Sequence, residues 1–221
     1  RSDGSPVYNL TNVVDDYDMS ISHIIRGEDH IANTPKQILI YKALCWTVPI
    51  FAHLPMILGQ DKKRLSKRHG ATGVQTYRDE GYQSEALLNY LSLLGWNPGT
   101  EEEIMSLSKI IDQFDLLKVH KKSAVFDDKK LNWISGQHLG MQANEDILIR
   151  IRLIKPNWGK TESNDFCLSV INLMKGRSKS LLDLIENSVY YFQDPTEFNE
   201  KVLRKTWKDD TSNIVESVHS I

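Results

Sequence analysis

Over the first 60 residues the apolar positions fall in short runs separated by charged or turn-forming clusters. Residues 7–14 combine β-branched and aromatic side chains and end at Asp15-Asp16, which predicts a strand closed by turn residues. Residues 21–25 predict a second short strand, closed by Arg26-Gly27-Glu28-Asp29-His30. A helix follows. Thr34 is placed to cap it, Pro35 suits its first turn, and Gln37 stands where a capping-box partner would. Its body, 36–46, carries Ile38, Leu39, Tyr41, Ala43 and Leu44, the pattern of a broadly buried helix. Residues 51–58 predict another strand, interrupted by Pro55. Strand, helix and strand in that order predict a βαβ unit with parallel pairing.

After Gly70 the spacing turns helical. Ser84 is placed to cap 85–94, with Leu87, Leu88, Leu91 and Leu94 as a core-facing side and Gly95 as the stop. Helices are predicted over 107–114 and 128–134, the second capped by Asp127 and ended by Gly136. Further helices are predicted over 147–153, 166–174, 181–192 and from Thr196 onward. Periodicity lapses at 140–144, which places a boundary near 142; a softer one lies near Gly59.

Composition narrows the class. With 221 residues and 40% hydrophobic content the chain has material for one or two cores without disulfide staples. A formal charge of −2 excludes a whole-chain basic excess, so contact with nucleic acid must use local patches. Cys45 and Cys167 lie far apart in unlike contexts and read as two reduced, buried thiols, and no CxxC or His/Cys cluster suggests a metal. No apolar run approaches the roughly 20 residues of a membrane span. No signal segment opens the chain, and a cytoplasmic compartment is expected.

The densest chemical signal is Asp61-Lys62-Lys63-Arg64-Leu65-Ser66-Lys67-Arg68-His69-Gly70, five cations, a hydroxyl and a glycine just after a strand. Such a loop can wrap a polyphosphate through ammonium, hydroxyl and backbone N–H donors. The competing reading is an ordinary solvated basic loop.

Sequence context favours the first. Arg64-Leu65-Ser66-Lys67-Arg68 is similar to the KMSKS signature of class I aminoacyl-tRNA synthetases in its glutamyl form. The stretches from Pro6 to Asp16, from Ile25 to Pro35 and from Glu85 to Trp96 resemble the glutamyl-tRNA synthetase family in the family's order. The resemblance is strong over 1–136 and loose beyond. It implies an α/β fold followed by mainly α structure: the second half of a Rossmann-type catalytic domain over 1–60, the loop and a helical stem-contact domain over 61–142, and the first part of a helical anticodon-binding domain over 143–221. It implies ATP and glutamate as substrates, Mg2+ accompanying the nucleotide, tRNA(Glu) as partner, and a monomer. Lys67, with Arg64 and Ser66, would act on the phosphates. Arg26, with Tyr8 and Asn12, would bind the glutamate side chain, Tyr8 and Asn12 sharing a face of the expected strand. Glu28, Asp29 and His30 would line the adenosine side.

Each residue also has a plainer reading. Arg26 could pair with Asp15, Asp16 or Glu28, Tyr8 could be a half-buried strand aromatic, and His30 could orient its neighbours. Lys118, His120, Lys121, Lys122, Lys129 and Lys130 form a basic region that the resemblance sets against tRNA phosphates, with Arg177, Lys179, Arg204, Lys205 and Lys208 toward the anticodon arm. Two departures stand out. No His-x-Gly-His appears, and the family's amino-terminal half is not expected here. The sequence stops near Ile221, before the family's final anticodon-binding segment would be complete, so the isolated chain is not expected to charge tRNA. A smaller departure is Arg64 in place of a common lysine. A glutaminyl-type enzyme would carry β-barrels where 144–221 reads as helical, and a non-catalytic tRNA-binding module would use Arg64 and Lys67 on RNA alone.

Overall fold

The computed structural model describes residues 2–66, 73–194 and 200–219. It opens with helix α1 (Tyr8–Asp18), where the β-branched run predicts a strand. Leu10, Val13, Val14 and Tyr17 recur at i, i+3, i+4 and i+7, a helical period that the local composition conceals. Val13 is buried and α1 packs on the helix after it. Asp15 and Asp16 therefore lie in a helix body, not in a turn. The helix ends in a Schellman arrangement: Ser20 N–H donates to Tyr17 O, Ile21 N–H donates to Asp16 O, and Ser20 takes a φ of 56°. A serine in the usual glycine place gives the sequence no stop signal.

Strand β1 (His23–Gly27), helix α2 (Thr34–Ala43) and strand β2 (Ile50–Leu54) form the expected βαβ unit. The strands pair in parallel, with Arg26 opposite His53. A 3-10 turn, Glu28–His30, joins β1 to α2. Thr34 begins α2 rather than capping it, its hydroxyl being turned toward Arg26, His30 and His53. Cys45 ends α2 at a φ of 57° with the same two-bond arrangement, and its thiol is exposed, which corrects the reading of two buried cysteines. The two helix ends meet where Tyr17 and Trp46 stack at 3.8 Å between ring centroids. Pro55 divides the run 51–58: β2 stops at Leu54, and β3 (Ile57–Leu58) pairs in parallel with β4 (Ala124–Val125).

Helices follow: α3 (Val74–Asp79), α4 (Ser84–Gly95), α5 (Leu107–Gln113), α6 (Asp128–Met141), α7 (Asn144–Ile154), α8 (Asn164–Met174), α9 (Leu181–Asn187), α10 (Glu200–Thr206) and α11 (Thr211–His219). Gln83, not Ser84, holds the cap position of α4. Its buried face is Ala86, Leu87, Asn89, Tyr90 and Leu94, while Leu88 and Leu91 are each 40% exposed, so the core side is rotated from the leucine row. Asp127 caps α6 as expected, but the helix runs through Gly136 to Met141. A Cβ at Gly136 would meet Ser178 O at 3.2 Å, so glycine here admits a close neighbour and does not stop the helix. The run 181–192 is likewise two pieces, α9 and a 3-10 turn over Val189–Tyr191.

Three apolar clusters hold these helices: Leu87, Tyr90, Leu94, Phe126, Leu131 and Ile134 across α4 and α6; Trp96, Met105 and Ile110 beside them; and a larger one over α7 to α9. Leu139 of α6 belongs to the larger cluster, so packing continues across the point where periodicity lapses. Among the described residues no helix is long and apolar enough to cross a membrane.

Candidate functional site

Parallel strands present their carboxyl ends as the usual ligand-binding edge. Here that edge carries Arg26 and the turn that follows it. The Arg26 guanidinium lies over the Phe51 ring, 5.3 Å from its centroid. Its Nη2 donates to Thr34 Oγ1 at 2.8 Å and to Gln37 Oε1 at 2.7 Å. Both acceptors are neutral. Among the described residues no carboxylate is in ion-pair contact with Arg26, and its Nε is buried without a partner. The alternative in which Arg26 pairs with Asp15, Asp16 or Glu28 is therefore not what the fold adopts. Its field still reaches Asp16: burial raises that carboxyl above the ordinary carboxylate range, and the Arg26 charge acts against the rise. A cation held only by neutral groups retains its capacity to receive an anion.

From α1, Asn12 reaches Gln37, the partner of Arg26, while Tyr8, one turn earlier, reaches His30 in the turn after β1. One helical turn puts positions four apart on one face, as two strand periods would have done, so the spacing survives the change of element. Asn12 Oδ1 accepts from Gln37 Nε2 at 3.0 Å, and Asn9 Oδ1 accepts from the same nitrogen at 3.3 Å. Gln37 thus bridges α1 to Arg26. The Tyr8 hydroxyl lies 3.5 Å from His30 Nδ1, at the outer limit of a hydrogen bond, and the side chain is 54% exposed.

The turn after β1 divides its tasks. Glu28 Oε1 accepts from Met56 N–H at 3.1 Å, which ties the turn to the segment between β2 and β3. Asp29 Oδ2 accepts from Arg64 Nη2 at 3.0 Å. A Cβ at Gly27 would sit 2.5 Å from Asp29 Oδ1, so glycine leaves the carboxylate its place. His30 lies between Tyr8 and Asn33, within 3.4 Å of the Asn33 amide. The Arg64–Asp29 pair brings the start of the basic loop to the strand end that bears Arg26. Leu58 and Arg64 form an antiparallel bridge, and Leu65 N–H donates to Ile57 O, so the loop leaves from the short β3–β4 sheet. Ser66 is half-buried at its rim. Lys67, Arg68, His69 and Gly70 lie outside the described residues.

Gln37, Thr34, Asn9, Phe51 and His53 belong to this constellation and escape the sequence reading. The signal was present: Thr34 and Gln37 stand three apart, the spacing of one helix face as well as of a capping box. A βαβ unit turns that face toward the end of β1.

The basic region around Phe126 is open to solvent at Lys118, His120, Lys121, Lys122 and Lys129. Lys118 Nζ donates to Pro98 O at 3.3 Å, and Lys130 pairs with Glu103, which removes part of its charge from that face. Arg177, Lys179, Arg204, Lys205 and Lys208 are exposed.

Residues 1–133 match the family model for tRNA synthetases class I (E and Q), catalytic domain, and residues 146–221 match an anticodon binding domain. A glutamate–tRNA ligase of Moorella thermoacetica is 48% identical over 212 residues, 93% of this chain and 43% of that protein. A second glutamate–tRNA ligase, of Caldicellulosiruptor saccharolyticus, is 43% identical over 99% of this chain and 46% of its own length. The crystal structure of a glutamate tRNA ligase from Elizabethkingia meningosepticum in complex with its amino acid superposes with a TM-score of 0.84 at 35% identity, over 97% of this chain and 46% of that one. The chain therefore spans less than half the length of each of these relatives. With the catalytic-domain match extending over residues 1–133, it belongs to the class I tRNA synthetases of the glutamate and glutamine type.

Proposed function

We propose that the protein is a glutamate–tRNA ligase: it activates glutamate with ATP and passes the glutamyl group to the 3′ end of tRNA(Glu). The observation that carries this is the Arg26 guanidinium, held by neutral acceptors at a strand end to which the Arg64–Asp29 pair also brings the basic loop. Arg26 receives the glutamate side-chain carboxylate through its charge and its Nη1 donors, Nη2 being already engaged by Thr34 and Gln37, and a neutral amide offers that cation less. Tyr8 and Asn12 add a hydroxyl and an amide to the same substrate. The substrate's α-carboxylate then attacks the α-phosphorus of ATP, the bond to pyrophosphate breaks, and negative charge grows on the departing phosphates. Lys67, with Arg64 and Ser66, stabilises that charge. Glu28, Asp29 and His30 line the adenosine side, with Asp29 steering Arg64.

Among the described residues no group of three His, Cys, Asp or Glu side chains gathers to hold a metal. Mg2+ would accompany the nucleotide phosphates. When bound, Mg2+ neutralises phosphate charge. The division into 1–60, 61–142 and 143–221 assigns the later helices to tRNA, with Lys121, Lys122 and Lys129 against backbone phosphates and Arg177, Lys179, Arg204, Lys205 and Lys208 toward the anticodon arm. The protein works as a monomer in the cytoplasm.

The test is ATP–pyrophosphate exchange in the whole protein. Arg26→Gln raises the KM for glutamate and leaves that for ATP in place. Lys67→Ala slows activation by roughly 100- to 1,000-fold, the scale of a lost electrostatic donor, with a much smaller change in tRNA affinity. Loss of tRNA binding with exchange intact would instead support a tRNA-binding module.

A further inference from the structure

Gln37 is assigned to neither substrate, yet it is 1% exposed and controls the hydrogen-bond polarity of groups that would touch one. A guanidinium has only donors, so the Gln37 amide must face Arg26 with its oxygen, as it does at 2.7 Å. Its amino end then faces α1, where it takes up the side-chain oxygens of Asn12 and Asn9. An asparagine whose oxygen is occupied has donors left to offer, and among the described residues the Asn12 amino group has no partner. The Arg26 charge meanwhile stays uncompensated, because the partners that fix it carry no charge.

We propose that Gln37 is a positioning and specificity-determining residue of the amino-acid subsite. It orients Arg26 without neutralising it and leaves Asn12 its amino group. The subsite thereby becomes a set of donors. A side-chain carboxylate satisfies such a set. Among the groups assigned to the subsite, a side-chain amide's amino group finds an acceptor only in the exposed Tyr8 hydroxyl, and it faces the Arg26 cation where a carboxylate would be attracted. The inference rests on the glutamate reading of Arg26 given above. It also explains why an amide, and not a carboxylate, occupies position 37: a carboxylate would bind Arg26 as an internal anion and could donate nothing to Asn12.

The experiment is ATP–pyrophosphate exchange in the whole protein, run against glutamate and against glutamine, for wild type, Gln37→Glu and Gln37→Met, with thermal melting as the control for folding. Gln37→Glu raises the KM for glutamate about 10- to 100-fold, the scale of a charge-assisted hydrogen bond, and narrows the preference for glutamate over glutamine. The KM for ATP stays in place. Gln37→Met raises the glutamate KM less, because Arg26 keeps its charge. A merely structural role would lower melting temperature and kcat without this selective change in KM. Should Gln37→Glu fail to fold, Gln37→Met decides. Wild-type exchange driven by glutamate, together with an unchanged glutamate KM in the folded variants, overturns this inference alone. Wild-type exchange indifferent to glutamate overturns it together with the reading of Arg26.

Discussion

Asp127 carries the first turn of α6 on one oxygen: its Oδ1 accepts from Lys129 N–H at 2.9 Å and from Lys130 N–H at 3.4 Å. The Tyr90 hydroxyl, buried beside it and pushed up to about 12, accepts from the Asp127 N–H at 2.6 Å, so the cap is also tied to the core of α4. Asp127→Ala is expected to cost about 1 kcal/mol, the usual worth of such a cap, measured by urea denaturation with an unchanged m-value. A loss within error of zero would mean that the Tyr90 bond alone holds the turn. This cap was legible in the sequence because a carboxylate before a helix has one common use. Arg26 is singled out in the sequence by the resemblance of residues 25–35 to the family, and the fold places it in β1 just before Gly27. Gln37 is not so marked. Its role depends on which end of an amide faces which neighbour, and nothing in a one-dimensional pattern records that.

The element scale shows where local signals mislead. Ser20 and Cys45 end helices at positive φ in places where glycine would announce the stop, while Gly136 suggests a stop in the middle of α6. Gly81, by contrast, is a glycine that does end a helix. It takes a φ of 78° at the end of α3, donating to Arg78 O while Tyr82 N–H donates to Tyr77 O, and the Tyr77 and Tyr82 rings meet edge-on at 5.6 Å. Its carbonyl then accepts from Leu181 N–H at the start of α9, and a Cβ would lie 2.9 Å from Leu182 N. Gly81→Ala therefore meets two penalties at once: a left-handed backbone and a clash with backbone that has no free end to move. The left-handed conformation alone costs a non-glycine residue about 1 to 3 kcal/mol, and the clash is expected to add to that. Thermal melting compared with Gly99→Ala separates the two terms, since Gly99 has a φ of 96° with open space around it. Equal losses would show that the α9 contact contributes nothing.

At the scale of the molecule, the helices before and after residue 142 are joined by polar groups as well as by Leu139. Gln142 Nε2 donates to Gln83 Oε1 at 2.6 Å, Arg150 Nη1 donates to Gln142 Oε1 at 3.2 Å, and Lys175 Nζ donates to Gln142 O at 2.8 Å. Close to this knot, His138 Nε2 lies 2.9 Å from Asn89 Oδ1, which also accepts from Met105 N–H. That oxygen makes Nε2 the donor, a bond open to both the neutral and the charged ring, so it is burial that favours the neutral imidazole. Burial lowers the His138 pKa below the ordinary 6.5, and the nearby Glu85 carboxylate offsets only part of the fall. A base whose folded pKa is depressed binds its proton less readily in the native state than in the unfolded chain. Stability from this group is therefore complete above the ordinary histidine value and is lost as pH falls through it toward the folded one. Urea midpoints measured at intervals from about pH 8 to about pH 5 should decline across that window, and His138→Gln, whose amide can still donate to Asn89, should flatten the decline. Parallel profiles for the two proteins would locate the acid sensitivity elsewhere. Because α6 supplies both His138 and Leu139, protonation there is expected to loosen α4 to α9 together, so tryptophan fluorescence from Trp96 and Trp158, buried on the two sides of the junction, should report one transition.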